Sequence, residues 1–231
     1  EYLPTGALPL TSVLTRVGYG SVPGASYRRR GSEVELAAAV EEVPGLIARQ
    51  SARRAELQVT SVDIRLPAEL LRLGVTFVDT PGVGGMDAAT SAITLGFLPD
   101  ADAVVFVTSA DSALNETDLA LLRRVPAGLR VFCVVNKCDL VTAEEADAVV
   151  AAARALLAEQ RSAGAEVFAL SALRGLRAAR SLDPAADDGG ITAFRRALTA
   201  FLTASRAPIA LANVRDRAEE LARRQHALLA L

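Results

Sequence analysis

The apolar positions of this chain follow two rhythms that alternate along it. Val62, Ile64 and Leu66 alternate with Asp63 and Arg65, the period of two that predicts a half-buried strand. Val75 to Val78, Ala103 to Thr108, Val131 to Val135 and Val167 to Leu170 are short unbroken runs of apolar or β-branched residues, as in strands covered on both faces. Val13 to Tyr19, behind the Pro/Gly-rich opening EYLPTGALPL, is strand-like as well. Between these runs the period lengthens to that of a helix. Asn115 and Asp118 are placed to cap a helix starting near residue 115. Thr142-Ala-Glu-Glu145 is a capping box ahead of a helix whose Val149, Ala153, Leu156 and Leu157 share a face. Further helices are expected from Ala172 and from Ile191, the last burying Phe194, Leu198, Phe201 and Leu202. Strands alternating with helices predict an α/β fold, a mostly parallel sheet flanked by helices.

Two stretches depart from this alternation. Between Ser21 and Arg54, GYGSVPGAS reads as turns and VELAAAVEEV and PGLIARQSARR as weakly helical, while three arginines at 28 to 30 suit the solvated edge of a strand. At the other end Pro208 starts a final helix on which Leu211, Val214, Ala218, Leu221 and Leu228 keep 3-4 spacing, with Gln225 in the slot between the last two. Such a seam asks for a partner helix. The alternative is an amphipathic helix folded back on the main domain.

Composition narrows the choice of function. A chain of 231 residues with 51% hydrophobic and 23% charged content has room for one sizeable core. Twenty-five basic against 27 acidic side chains leave a net charge of −2, without the basic excess of a nucleic-acid binder. Cys133 and Cys138 flank one strand end and have no second pair for a disulfide framework or a zinc site, so a reducing cytosol is expected. No apolar run has the length of a membrane span, and Glu1-Tyr2-Leu3-Pro4 does not begin a signal peptide.

The candidate chemistry lies at the ends of the apolar runs, where open α/β sheets keep their ligands. Val75 to Val78 runs into Asp79-Thr80-Pro81-Gly82 and then a glycine-rich loop. An aspartate there can hold a phosphate-bound Mg²⁺, and the N–H of Gly82 can meet a γ-phosphate. Alone, the tetrapeptide is ordinary turn chemistry. Val131 to Val135 runs into Asn136-Lys137-Cys138-Asp139, which contains the only lysine of the chain. Guanine offers N1–H and a 2-amino group on one edge, and the Asp139 carboxylate can accept both, where adenine presents no such pair. A buried acceptor of this kind rejects the wrong base by a factor on the order of 10⁴. The stem of Lys137 would pack over the base while Asn136 ties loops together. Val167 to Leu170 ends at Ser171-Ala172, whose backbone N–H could reach the guanine O6. Thr11, downstream of Pro4, Gly6 and Pro9, could offer its hydroxyl to Mg²⁺ and its carbonyl to an attacking water.

Taken together, LPTGALPLT, VDTPGVGG, NKCDL and the SAL turn, in this order, resemble the guanine-nucleotide motifs of the dynamin superfamily, especially of bacterial dynamin-like proteins. The resemblance covers roughly residues 2 to 205 and is most specific in LPTGALPLT and LPAELLRLGVTFVDTPGVGG. It implies a GTPase domain over residues 1–206 and the start of a helical neck or stalk over 207–231. It implies GTP and Mg²⁺ as ligands, and hydrolysis coupled to membrane binding, fusion or remodelling and stimulated by G-domain dimerisation. Such a protein would be cytoplasmic, lie on the inner face of the cell membrane, assemble with itself through G domain and stalk, and take no nucleic-acid partner.

Two departures bear on that expectation. No G-x-x-x-x-G-K-[ST] phosphate loop occurs, since none of the 16 glycines has another five positions on. In the family that loop lies a short distance upstream of the position of Leu3. With no initiating Met either, the chain is expected to be an N-terminally truncated fragment, weak or inactive by itself. Val83 stands where Ras-type GTPases carry a water-positioning glutamine. In the resembling family the catalytic polar residue lies in the phosphate loop instead. The competing readings are a ribosome-assembly GTPase, opposed by the charge balance and the lack of a GXXG segment, and a non-catalytic pseudo-GTPase scaffold.

Overall fold

The computed structural model describes residues 13–32, 34–51, 59–80, 94–160, 165–181, 183 and 185–204. In chain order these form β1 (Leu14–Tyr19), β2 (Gly24–Arg29), β3 (Leu36–Ala38), α1 (Val43–Ser51), β4 (Val59–Leu66) and β5 (Phe77–Asp79). There follow β6 (Ala103–Ser109), α2 (Glu116–Leu122), β7 (Arg130–Asn136), α3 (Ala143–Gln160), β8 (Ala165–Ala169) and α4 (Ala172–Arg180). The chain divides into two units, Glu1–Phe194 and Arg195–Leu231. A helix opens at Ile191 near the end of the first, and residues 195–204 of the second are helical. The expected helix from Pro208 lies outside the described residues.

The α/β class holds, with its parallel character concentrated near the site. Strands β6, β7 and β8 pair side by side in parallel as a three-stranded sheet. The other five form a mixed sheet in the order β3-β2-β4-β1-β5, where β1 and β4 are parallel and the remaining pairs antiparallel. Strand β7 is paired on both edges, so Val131, Phe132, Cys133, Val134 and Val135 are each at most 4% exposed. One face of this sheet joins Phe106, Val131, Cys133 and Val135 to Ala153 and Leu157 of α3, whose N-terminus carries the expected capping box: Thr142 N–H donates to Glu145 and Glu145 N–H to Thr142 Oγ1. On β7's other face Phe132 meets Phe168 and Phe194, centroids 6.4 and 6.3 Å away. A second core forms under the mixed sheet from Val13, Val43, Ile47, Val62 and Ile64.

Three expectations are corrected. The stretch read as turns contains β2, and the alanine-rich stretch read as helical begins with β3. Both strands exist because β4 offers an edge: β2 pairs antiparallel with it from Gly24 to Arg29, and β3 then pairs with β2. Long-range pairing of this kind overrides weak local helix preference. The third correction concerns β6, read as covered on both faces. Val105 and Val107 are 37% and 58% exposed while Phe106 and Thr108 are buried, because among the described residues only the face of β6 that carries Phe106 is packed.

The aromatic contacts of Phe132 tie Phe194, in the first turn after Ile191, to the sheet. Phe132→Ala, which removes a fully buried ring, is expected to cost about 3–5 kcal/mol of unfolding free energy. Urea denaturation measures this, and a loss below about 1 kcal/mol would mean that the cluster refills the space.

Candidate nucleotide site

Parallel pairing of β7 with β8 brings two strand ends to one corner, and backbone hydrogen bonds carry the register past the strands. Leu170 N–H donates to Val135 O (2.9 Å) and Cys138 N–H to Leu170 O (3.2 Å). Lys137 turns the chain sharply there, with φ 62° and ψ 30°, and Cys138–Leu140 forms one tight helical turn. Asn136, Lys137, Asp139, Ser171 and Ala172 are gathered by this geometry at the carboxyl edge of the three-stranded sheet.

Asn136 holds three loops at once. Its side-chain oxygen accepts the Ala172 N–H at 3.0 Å, and its carbonyl accepts the Ala110 N–H at 2.8 Å. The Ser171 hydroxyl donates to Asp139 Oδ1 and accepts the Arg174 N–H at 3.1 Å, so one side chain both caps α4 and fixes the carboxylate. That hydroxyl is the main reason the Asp139 carboxyl titrates below its ordinary range, with smaller help from Arg174 and Arg177. The carboxylate stays charged at neutral pH, in a form that accepts two adjacent N–H groups. The Ala172 N–H, expected to meet a guanine O6, is engaged by Asn136, so a base oxygen would have to share that donor.

Supporting residues appear that the motifs alone did not reveal. Asn115 caps α2 by accepting the Asp118 N–H, as its position suggested. The carboxylate of Asp118 works elsewhere, accepting from Thr108 Oγ1 (2.7 Å) and Leu114 N–H (3.1 Å) and so bracing the loop after β6. In that loop the exposed Asp111 carboxyl is held low, first by Ser109 and also by the charge of Lys137. A second turn, Asp187 to Gly190, lies against Ser171, whose N–H donates to Gly189 O at 2.8 Å. The stretch DPAADDGG is rich in turn residues, but nothing in it indicates what the turn touches.

The other chemical end is Asp79, last residue of β5, opposite Thr15 of β1. Burial pushes its carboxyl above the ordinary value. No group of three or more His, Cys, Asp or Glu side chains that could hold a metal occurs among the described residues. A lone, partly desolvated carboxylate fits an ion held mainly by phosphate oxygens and water, the usual habit of Mg²⁺. Thr11 and Gly82, the other residues expected at this end, lie outside the described residues.

The family model of the dynamin family matches residues 1–138. The chain belongs to the dynamin family. Among relatives of this dynamin-family chain, an uncharacterised protein of the xynA 3′ region in Caldicellulosiruptor sp. (strain Rt8B.4) is 30% identical over 177 residues, 75% of this chain and 44% of its own. The bacterial dynamin-like protein of Nostoc punctiforme is 27% identical over 244 residues, 92% of this chain and 35% of its own. A solved structure of an oligomerised bacterial dynamin pair, described as a mechanism for the long range sensing and tethering of membranes, superposes with a TM-score of 0.65 at 15% identity. It covers 86% of this chain and 34% of that one, a likeness of fold. The dynamin-family chain thus spans less than half the length of these relatives.

The half-buried Asp79 carboxylate carries a desolvation cost when no cation is bound. Its folded value is raised, so wild-type stability falls as pH rises from the ordinary carboxylate range through the raised value, and stays lower above it. Asp79→Asn removes that dependence, and in metal-free, nucleotide-free buffer at pH 7 it is expected to melt at or above the wild-type temperature. Melting curves between pH 4 and pH 7 read the difference; a clearly lower melting temperature for the variant at pH 7 would give the carboxylate a stabilising partner.

Proposed function

We propose that this chain is the nucleotide-binding part of a GTPase whose hydrolysis cycle acts at membranes. The observation that carries the reading is the Asp139 carboxylate, fixed by the Ser171 hydroxyl and kept ionised at the end of a buried strand. In this reading Asp139 accepts the guanine N1–H and 2-amino group, the stem of Lys137 covers the base plane, and Asn136 holds the Ser171-Ala172 turn beside the O6 edge. Thr11 and Asp79 serve the metal and the attacking water, and the Gly82 N–H meets the γ-phosphate. Bound Mg²⁺ would neutralise charge building on the phosphate oxygens. Residues 1–206 would form the GTPase domain and 207–231 open the stalk.

The phosphate end asks for donors that these 231 residues do not supply through any G-x-x-x-x-G-K-[ST] loop. Such a loop follows a strand of its own. Among the described residues β5 and β6 each end their sheet and keep one edge without a strand partner, which supports the idea that a further strand carrying the loop belongs between them. The 231-residue chain is then expected to bind GTP weakly and hydrolyse it at background rate, whereas the same chain extended upstream through the loop binds and turns over. Calorimetry and phosphate release compare the two. Clear turnover by the 231 residues would assign the phosphates to other groups.

Membrane action and self-assembly are proposed at the level of the whole protein, supported by membership of the dynamin family and by the membrane-tethering dynamin pair that shares the fold. No helix among the described residues is long and apolar enough to cross a membrane, which is compatible with a peripheral protein on the cytoplasmic face.

Base recognition has its own test. Asp139→Asn replaces an acceptor by an amide that can donate to the 2-oxo group of xanthine, so preference should move from GTP to XTP by at least about tenfold, the effect of one mismatched hydrogen bond to a charged group. Competition binding with both nucleotides measures it, and an unchanged preference would remove Asp139 from the site.

A further inference from the structure

The turn from Asp187 to Gly190 lies outside every nucleotide motif, yet it touches the segment that carries two of them. Ser171 N–H donates to Gly189 O at 2.8 Å, and Ser171 O accepts the Gly175 N–H at 3.0 Å, so both peptide groups of Ser171 are held. The approach leaves no room for side chains. A Cβ on Gly189 would lie 2.5 Å from Ser171 O and 2.9 Å from Arg174 Cβ, and one on Gly190 would lie 2.5 Å from Ala169 O. Both glycines also have positive φ, 59° and 84°, where side chains are strained.

The turn is fixed independently of the residues it supports. Asp187 Oδ1 accepts the Gly189 N–H at 2.8 Å, and Asp188 accepts the N–H groups of Gly190 (3.0 Å) and Thr192 (2.9 Å), capping the helix that opens at Ile191. Asp187 Oδ2 also pairs with Arg174 Nη1 at 3.2 Å, an exposed contact of small energetic weight. A rigid platform therefore stands behind Ser171, while the Ser171 hydroxyl points forward to Asp139. The chain of contacts runs from Gly189 through Ser171 to Asp139.

From this we infer that the Asp187–Gly190 turn is a positioning element for base selection: it sets where Ser171 stands, and Ser171 sets which way the Asp139 carboxylate faces. The inference rests on the guanine reading of Asp139 given above. A carboxylate free to turn accepts from water or from any donor it meets, whereas one held by a fixed hydroxyl offers its remaining lone pairs in one direction. Discrimination between bases with and without the paired donors depends on that direction.

Gly189→Ala forces the turn and the Ser171 carbonyl apart, because 2.5 Å is shorter than any tolerated non-bonded carbon-to-oxygen approach. Two readouts on the 231-residue chain test the consequence. In the nucleotide-free protein the Asp139 carboxyl, followed by carbon-detected NMR, should titrate closer to the ordinary range in Gly189→Ala, as it should in Ser171→Ala. The double variant should show no further change, since both substitutions act through one hydroxyl. Arg174 and Arg177 also lower this group, so part of the depression should survive in all three. In binding titrations the preference for GTP over XTP should narrow by about tenfold in Gly189→Ala, the scale of one disturbed charge-assisted hydrogen bond. Asp188→Ala, which frees the Gly190 and Thr192 N–H groups without a clash and leaves the Asp187–Arg174 pair in place, should shift both readouts in the same direction by less and covers the case in which Gly189→Ala fails to fold. An Asp139 titration left unchanged by Asp188→Ala and by any folded Gly189→Ala, or additive shifts in the double variant, would overturn the positioning role. If the titrations couple but the wild-type chain does not prefer GTP over XTP, the positioning stands and the guanine reading falls.

Discussion

Everything at the proposed nucleotide corner depends on parallel pairing continuing past the ends of β7 and β8. Leu170 N–H to Val135 O and Cys138 N–H to Leu170 O are ordinary backbone bonds of 2.9 and 3.2 Å, but they fix two loops in one register. With that register set, Asn136 meets Ala172 and Asp139 meets Ser171 without either loop needing an unusual conformation beyond the left-handed Lys137. The strands can run side by side because β7 is apolar through five successive residues and is covered on both faces, by α3 on one and by Phe168 and Phe194 on the other. The polar site is thus held in place by an apolar strand with little freedom to shift, since slipping it by one residue would turn every side chain to the wrong face.

Two carboxylates in the same fold are pushed in opposite directions, which fits the separate roles proposed for them. Asp139 takes a hydroxyl bond and nearby arginine charge and is held ionised; Asp79 takes burial alone and is raised. A group stabilised as an anion by the protein itself is suited to reading a neutral donor pair, because it needs no counter-ion to stay charged. A group that the protein leaves under-compensated is suited to an ion that arrives with the ligand. Environments that drive titratable groups apart are a common mark of divided chemical labour.

How much of this could be read from the residues alone varies by element for a physical reason. The run Val131 to Val135 and the polar tetrapeptide after it declared both the strand and the turn that ends it, because burial on two faces and a turn at the strand end are written into consecutive residues. The same held for the capping box at Thr142. Strands β2 and β3 were not legible, since their existence depends on an edge of β4 that arrives from far along the chain. Nor was the exposure of Val105 and Val107, since which face of β6 is packed depends on elements distant in the chain. The Asp187–Gly190 turn was legible as a turn and not as a support: glycine pairs announce tight backbone, while the carbonyl they approach belongs to tertiary structure. Thr11, Gly82 and the seam after Pro208 fall outside the described residues and stand on sequence alone.

The modest burial of Asp139 decides where selectivity has to come from. A half-exposed carboxylate keeps much of its hydration, and its Coulomb attraction for any cation or donor is screened, so charge by itself separates ligands poorly. Hydrogen bonds to a charged acceptor contribute about 1.5–3 kcal/mol each when geometry is kept, and two of them on one base edge reach a useful discrimination only if neither is lost to a rotated carboxylate. Rotation is what the Ser171 hydroxyl opposes, and movement of Ser171 is what its two engaged peptide groups oppose. In a site this open to water, rigidity behind the acceptor replaces the dryness that buried sites rely on, so under the proposed guanine reading the residues that set selectivity include glycines that never touch the base.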